Sequence, residues 1–225
     1  MTLADIERID APEGFIYDPS LVLYLPLHQL DGNFFMERSH YGHLCTVYGA
    51  TWGTQGRTFD GTDDYVKIAA ENVMNFTSGD FSISIWVKPT ANDVIQCIFS
   101  RGLYDTDGYL WTLQPTGYTH FYTCQSGTSQ ATDAIATTIV AGAWHHLTVV
   151  RSGATVTIYK AGVNVTSSYA THIDPVTSAR QVKIGVKDDL TWDFTGIIGG
   201  VWAYNRALTP LEIQQNYLAT KWRYQ

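Results

Sequence analysis

Two short stretches hold the side chains with most to offer a ligand: Tyr104, Asp105, Asp107 and Tyr109 in one, Asp188, Asp189, Trp192 and Asp193 in the other. Sugar faces stack on exposed aromatic rings while nearby carboxylates take hydrogen bonds from hydroxyls, so rings and acids this close together in loops suit carbohydrate recognition. The same acids are hard oxygen donors. A calcium ion needs roughly six to eight such oxygens, and Asp188 and Asp189 with Asp193, or Asp105 with Asp107, offer part of a set.

Chemistry on the sugar would ask for more. Glycoside hydrolysis uses two carboxyl groups flanking one bond, but Glu7, Glu13, Glu37, Glu71 and Glu212 stand apart, with no second acid at alternating strand spacing. His145 and His146 are neighbours on a strand, so their rings point to opposite faces and cannot share a metal; one inward and one outward imidazole is expected. His40 and His43 are close enough to share one but have no companion at ligand spacing. No nucleophile elbow, phosphate-binding loop or dinucleotide fingerprint occurs. A non-catalytic binding module is expected.

The chain has 225 residues, 45% of them hydrophobic, enough for one large domain with a full core. Its net charge of -7 leaves no basic stripe to neutralise phosphates, which argues against nucleic acid and against anionic membranes. Cys45, Cys97 and Cys124 are odd in number and form no CxxC pair, so buried free thiols are expected rather than a disulfide or zinc framework. Neither a signal-peptide pattern at the start nor a bilayer-length apolar run appears.

The elements that must position these residues are short strands. Phe81 to Val87 alternates strictly, placing Phe81, Ile83, Ile85 and Val87 on one face and Ser82, Ser84 and Trp86 on the other, which predicts a half-buried strand. Trp144 to Val150, a Ser152-Gly153 turn and Thr155 to Tyr159 predict a hairpin. Other strands are expected at 21–25, 65–68, 109–114, 120–124, 181–186 and 196–204. Thr209-Pro210-Leu211-Glu212 combines an N-cap, a proline at the first helical position and the acid of a capping box, predicting a helix over 210–218. Residues 1–20 form an arm ahead of a domain at 21–225, and Ile6, Ile9, Phe15, Ile16 and Tyr17 are more apolar than a solvated leader needs, so the arm is expected to pack against its own domain or a partner.

Four segments in order, Gly56 to Val66 (GRTFDGTDDYV), Phe81 to Pro89 (FSISIWVKP), Trp144 to Leu147 (WHHL) and Tyr204 to Thr209 (YNRALT), resemble the laminin G-like, concanavalin A-like jelly-roll domains. The resemblance implies an all-β sandwich of two antiparallel sheets with a short C-terminal helix. It also implies a calcium ion held by an acid in the first long loop, here Glu37, and by another just before the final strand, where this chain has Ile198-Gly199-Gly200-Val201 instead. Calcium is thus retained as a candidate cofactor with one of its two acids missing.

The family that the chain resembles spans lectins, glycanases, adhesion modules and virion proteins. The expected role is a structural virion surface component of a phage (capsid decoration, fibre or tail) that can recognise glycans. Such a protein is made in a host cytoplasm without an export signal and joins other coat subunits or copies of itself through the arm. The alternative is an extracellular bacterial carbohydrate-binding or adhesion domain.

Overall fold

The computed structural model describes residues 12–69, 72–135 and 138–225. Along the chain run β1 (Leu21–Leu25), β2 (Phe34–Met36), β3 (Leu44–Tyr48), β4 (Thr51–Gly53), β5 (Gly56–Asp60), β6 (Tyr65–Ile68), β7 (Phe81–Pro89), β8 (Gln96–Leu103) and β9 (Asp107–Gln114). They continue with β10 (Tyr118–Gln125), β11 (Thr128–Ala134), β12 (His145–Ser152), β13 (Thr155–Lys160), β14 (Val163–Asn164), β15 (Thr166–Tyr169), β16 (Val182–Ile184) and β17 (Thr195–Tyr204), then helix α1 (Pro210–Thr220). One sheet of eight strands has the order β14-β13-β12-β7-β17-β5-β4, with β1 also on β17; the other, of nine, runs β15-β11-β10-β9-β8-β16-β6-β3-β2. Every pairing is antiparallel.

Alternation builds the core. Phe81, Ile83, Ile85 and Val87 of β7, with Val201 and Ala203 of β17, face Tyr109, Trp111 and Leu113 of β9 and Phe121 of β10 across the sandwich. All three cysteines are buried free thiols, and burial pushes Cys97 and Cys124 up to about 12.

The expectation of a half-buried β7 is corrected: Ser82, Ser84 and Trp86 are buried too. A second apolar layer lies on the outer side of the eight-stranded sheet, where Tyr24, Trp86, Trp202 and Tyr204 point away from the core and meet Phe15, Leu208, Ile213 and Tyr224. Ser82 Oγ donates to Arg206 O and accepts from Leu208 N, and Ser84 Oγ pairs with Thr148 Oγ1 at 2.8 Å, so the buried hydroxyls are satisfied. For the same reason His145 and His146 point to opposite faces as expected, yet both are buried.

Part of the arm belongs to this layer. Phe15 stacks on Tyr24 at 5.4 Å, Ile16 N donates to Asn216 Oδ1 of α1, and Tyr17 Oη donates to Arg38 O. Phe15, Ile16 and Tyr17 therefore pack against their own domain, one of the two outcomes expected for the arm. Ile6 and Ile9 lie outside the described residues.

The helix begins where its capping signals stand, with Thr209 and Glu212 exchanging both hydrogen bonds of the box, and it extends to Thr220. Arg206 ties it to the arm: its guanidinium meets Glu212 at 2.7 and 3.0 Å and Asp18 at 2.7 Å, while Nε donates to Ser20 Oγ. Among the described residues no helix is long and apolar enough to cross a membrane.

The Arg206 guanidinium pulls Glu212 down from its ordinary value to about 2. Because the folded value is depressed, the pair's stabilisation is complete above about pH 4.5 and is lost as pH falls toward 2. Arg206→Gln should cost about 2 kcal/mol at pH 7, allowing for solvent screening. In thermal melts that is about 4–8 °C for a domain of this size, and the gap between variant and parent should close between pH 4.5 and 2. A gap constant with pH would contradict the clamp.

Candidate functional site

The two loops singled out by their rings and acids come together at one corner of the nine-stranded sheet. Tyr104, in the β8–β9 turn, lies with its ring centroid 5.7 Å from Trp192, which sits in the connection from β16 to β17; the two rings meet edge to face. Trp192 occupies the left-handed region at φ 60°, a conformation uncommon for a bulky side chain, while its carbonyl accepts from Cys97 N at 2.7 Å. Lys187 Nζ stands 4.2 Å from the centre of the Trp192 ring, a cation–π contact.

The acids divide between duties. Arg180 bridges the loops, meeting Asp107 at 3.2 Å and also pairing with Asp188, which Lys183 contacts as well. Asp107 Oδ1 further accepts from Leu103 N, closing the tight turn in which Asp105 takes φ 53°. Asp189 is exposed and pairs with Lys187 at 3.0 Å. These carboxylates hold the loops together, and the cations that hold them stay beside the rings.

Tyr109 is corrected. It lies on the inward face of β9 at 1% exposure, its hydroxyl donating to Met74 O at 2.9 Å, and it belongs to the core. Asp193 faces elsewhere, toward Asp60 and Asp63; burial, with those charges near, holds it above the usual carboxylate range.

Residues not singled out by their loop chemistry extend the site. On β10, Phe121 points inward at 0% exposure, so Tyr118, His120 and Tyr122 point outward, opposite Gln114, Thr112 and Leu110 of β9. Tyr122 meets Tyr104 edge to face at 5.3 Å, His120 lies 5.5 Å from Tyr122, and Tyr118 lies 4.9 Å from His120. Tyr118, His120, Tyr122, Tyr104 and Trp192 thus form one continuous row of rings. His120 Nδ1 is 2.6 Å from Tyr122 Oη, and its Nε2 is 3.1 Å from Asp133 Oδ1 on β11. Burial lowers the His120 pKa and raises that of Tyr122, which favours a neutral imidazole hydrogen-bonded to an intact phenol. The alternation Tyr-Thr-His-Phe-Tyr was the available signal.

The family-type calcium position does not fit an ion. Glu37 is 3% exposed, and its two carboxylate oxygens accept from Tyr24 N, Ser39 N, Ser39 Oγ and His43 N at 2.7–3.0 Å. Those donors point hydrogens at the oxygens a cation would need. At the second position an added Cβ on Gly199 would lie 2.3 Å from the Tyr224 ring, so that aromatic occupies the space of an acid. Among the described residues, Asp60, Asp63 and Asp64 bring carboxylate oxygens within 4.8 Å of one another. Asp64 there accepts from Asp60 N at 2.9 Å, closing the acidic turn before β6.

The model of the concanavalin A-like lectin/glucanases superfamily matches residues 60–214, and the chain belongs to that superfamily. No curated protein matches it. Among solved structures it is similar to the binding domain of Paraclostridial Mosquitocidal Protein 1 (TM-score 0.69, 16% identity, 88% of this chain and 52% of that one). It is also similar to the botulinum neurotoxin serotype D ligand binding domain in complex with N-acetylneuraminic acid (TM-score 0.69, 15% identity, 89% and 51%). A third is Trypanosoma rangeli sialidase in complex with the inhibitor DANA (TM-score 0.72, 14% identity, 99% and 38%). This chain spans about half of each toxin domain and less of the sialidase; at these identities the likeness is one of fold.

Glu37→Ala would strand three backbone N–H groups in a buried place, each costing about 1–3 kcal/mol. A loss of about 3 kcal/mol, read as a Tm lower by about 6–12 °C, is expected. In the parent protein neither calcium nor a chelator should shift Tm through this position, so a calcium-dependent gain in Tm that Glu37→Ala abolishes would contradict this assignment.

Proposed function

We propose that the protein is a non-catalytic glycan-binding module whose ligand lies along the ring row on the outer face of the nine-stranded sheet. The observation that carries this reading is the continuity of five rings, each 4.9–5.7 Å from the next, from Tyr118 to Trp192. Such a row offers a chain of sugar rings successive stacking faces, while Lys187, Arg180 and Asp133 at its border offer partners for hydroxyl or acidic groups. The toxin domain bound to N-acetylneuraminic acid lends support by fold alone. Among the described residues no two carboxylates flank the row unpaired: Asp107 and Asp188 are bound by Arg180 and Asp133 faces His120, which favours recognition over hydrolysis.

A glycan array followed by titration calorimetry tests the reading. At least one oligosaccharide should bind, Trp192→Ala and Tyr104→Ala should each weaken it about tenfold, corresponding to about 1.4 kcal/mol, and both variants should keep the parent Tm within a few degrees. An array without binding, or affinity unchanged in both variants, would count against it.

The setting we propose is the surface of a phage particle, with an extracellular bacterial adhesion domain as the alternative. What favours contact with other subunits is an apolar cluster at the edge strand β2 of the nine-stranded sheet, which among the described residues pairs only with β3. Phe34 (74% exposed) and Met36 (51%) on β2 lie opposite Thr46 and Leu44 (50%) on β3. An edge strand carrying exposed apolar side chains favours association with a further chain. The parent protein should elute as an oligomer in light-scattering chromatography, and Phe34→Glu with Met36→Lys should release monomers; a parent monomer at micromolar concentration would sink this part.

A further inference from the structure

A cavity of about 270 Å³ opens where α1 and the residues after it pass the start of β12 and the end of β13. Four of its walls are rings. Trp86 and Tyr224 stack with centroids 4.5 Å apart, Trp144 lies 4.7 Å from Tyr224, and Tyr217 lies 5.9 Å from Trp86. His146 also lines it, 5.1 Å from Trp86 and 5.7 Å from Tyr217, at 1% exposure.

Among the described residues, neither nitrogen of His146 has a hydrogen-bond partner, and the buried indole N–H of Trp144 has none. Burial pushes the His146 pKa down to about 3, so the ring is neutral at ordinary pH and offers one donor and one acceptor. Buried polar atoms left unmatched are costly, and here three belong to residues that line one cavity. Filling it with water would take roughly nine molecules at about 30 Å³ each, most of them facing rings rather than polar partners. Apolar cavities of about 150 Å³ hold benzene; this one has room for a larger ring with a substituent. Lys160 and Lys221 also line it, Lys160 Nζ donating to Thr138 O and Lys221 Nζ lying 5.8 Å from the Tyr217 centroid, and among the described residues no Asp or Glu side chain lines it.

We infer that this cavity is a second binding site, separate from the ring row and independent of it, for a planar aromatic carboxylate. The ring of the ligand lies among Trp86, Trp144, Tyr217 and Tyr224, its polar edge meets His146, and its carboxylate faces Lys221 and Lys160. A sugar fits less well, because its many hydroxyls would exceed the three polar atoms and two ammonium groups provided.

Intrinsic tryptophan fluorescence and calorimetry on the full chain, with indole-3-acetate as probe, test the assignment. Saturable quenching is expected, with neutral indole binding at least tenfold more weakly and Lys221→Gln or Lys160→Gln weakening indole-3-acetate at least fivefold at unchanged Tm. Absence of saturation, equal affinity for indole, or binding unaffected by both lysine variants would overturn it. So would competition by N-acetylneuraminate, which would make the cavity a sugar site.

Discussion

The outer layer that Phe15, Trp86, Trp202 and Tyr224 build over the eight-stranded sheet decides which face of the sandwich is left open. A two-sheet sandwich has two outer faces, and alternation makes each a row of every second side chain. On the eight-stranded sheet those side chains are large and apolar, and α1 and residues 15–17 remove them from water. On the nine-stranded sheet they include Tyr118, His120 and Tyr122, half-buried, with His120 Nδ1 and Tyr122 Oη paired to each other. Burial consumes one face and leaves the other as a surface with aromatic character.

Paired charges then set the shape of that surface. Two loops from distant parts of the chain are drawn together by Arg180 between Asp107 and Asp188, which brings Trp192 to Tyr104 and joins the loop rings to those of β10. Glu37 plays a comparable part on the opposite edge. Its carboxylate gathers three backbone N–H groups and a hydroxyl from β1 and the loop before β3, holding that loop by hydrogen bonds.

Much of this was legible in the residues. The alternation of Phe81 to Val87 and the capping box at Thr209 follow from local rules and stand where those rules put them, and the hairpin turn expected at Ser152-Gly153 lies one residue on, at Gly153-Ala154. Strands such as Thr128–Ala134 carry few apolar residues and form because β10 offers them a ladder, which no local pattern announces. The second face of β7 was misjudged because what covers it arrives from residues 15 and 224, far away in the chain. At the site, proximity to a turn made Tyr109 look like Tyr104; strand parity alone separates them, and it turns Tyr109 inward. Asp107 and Asp188 were visible as acids, but that Arg180 would occupy both depends on tertiary placement.

The account rests on the ring row being where ligand sits. Its most direct test is amide and indole chemical-shift mapping of the isotope-labelled protein, saturated with whichever oligosaccharide binds most tightly. The account predicts perturbations concentrated at Tyr118 to Tyr122, Tyr104 and the Trp192 indole, with α1 silent. Shifts confined to α1 or to the Glu37 loop, with the β10 amides unmoved, would contradict it.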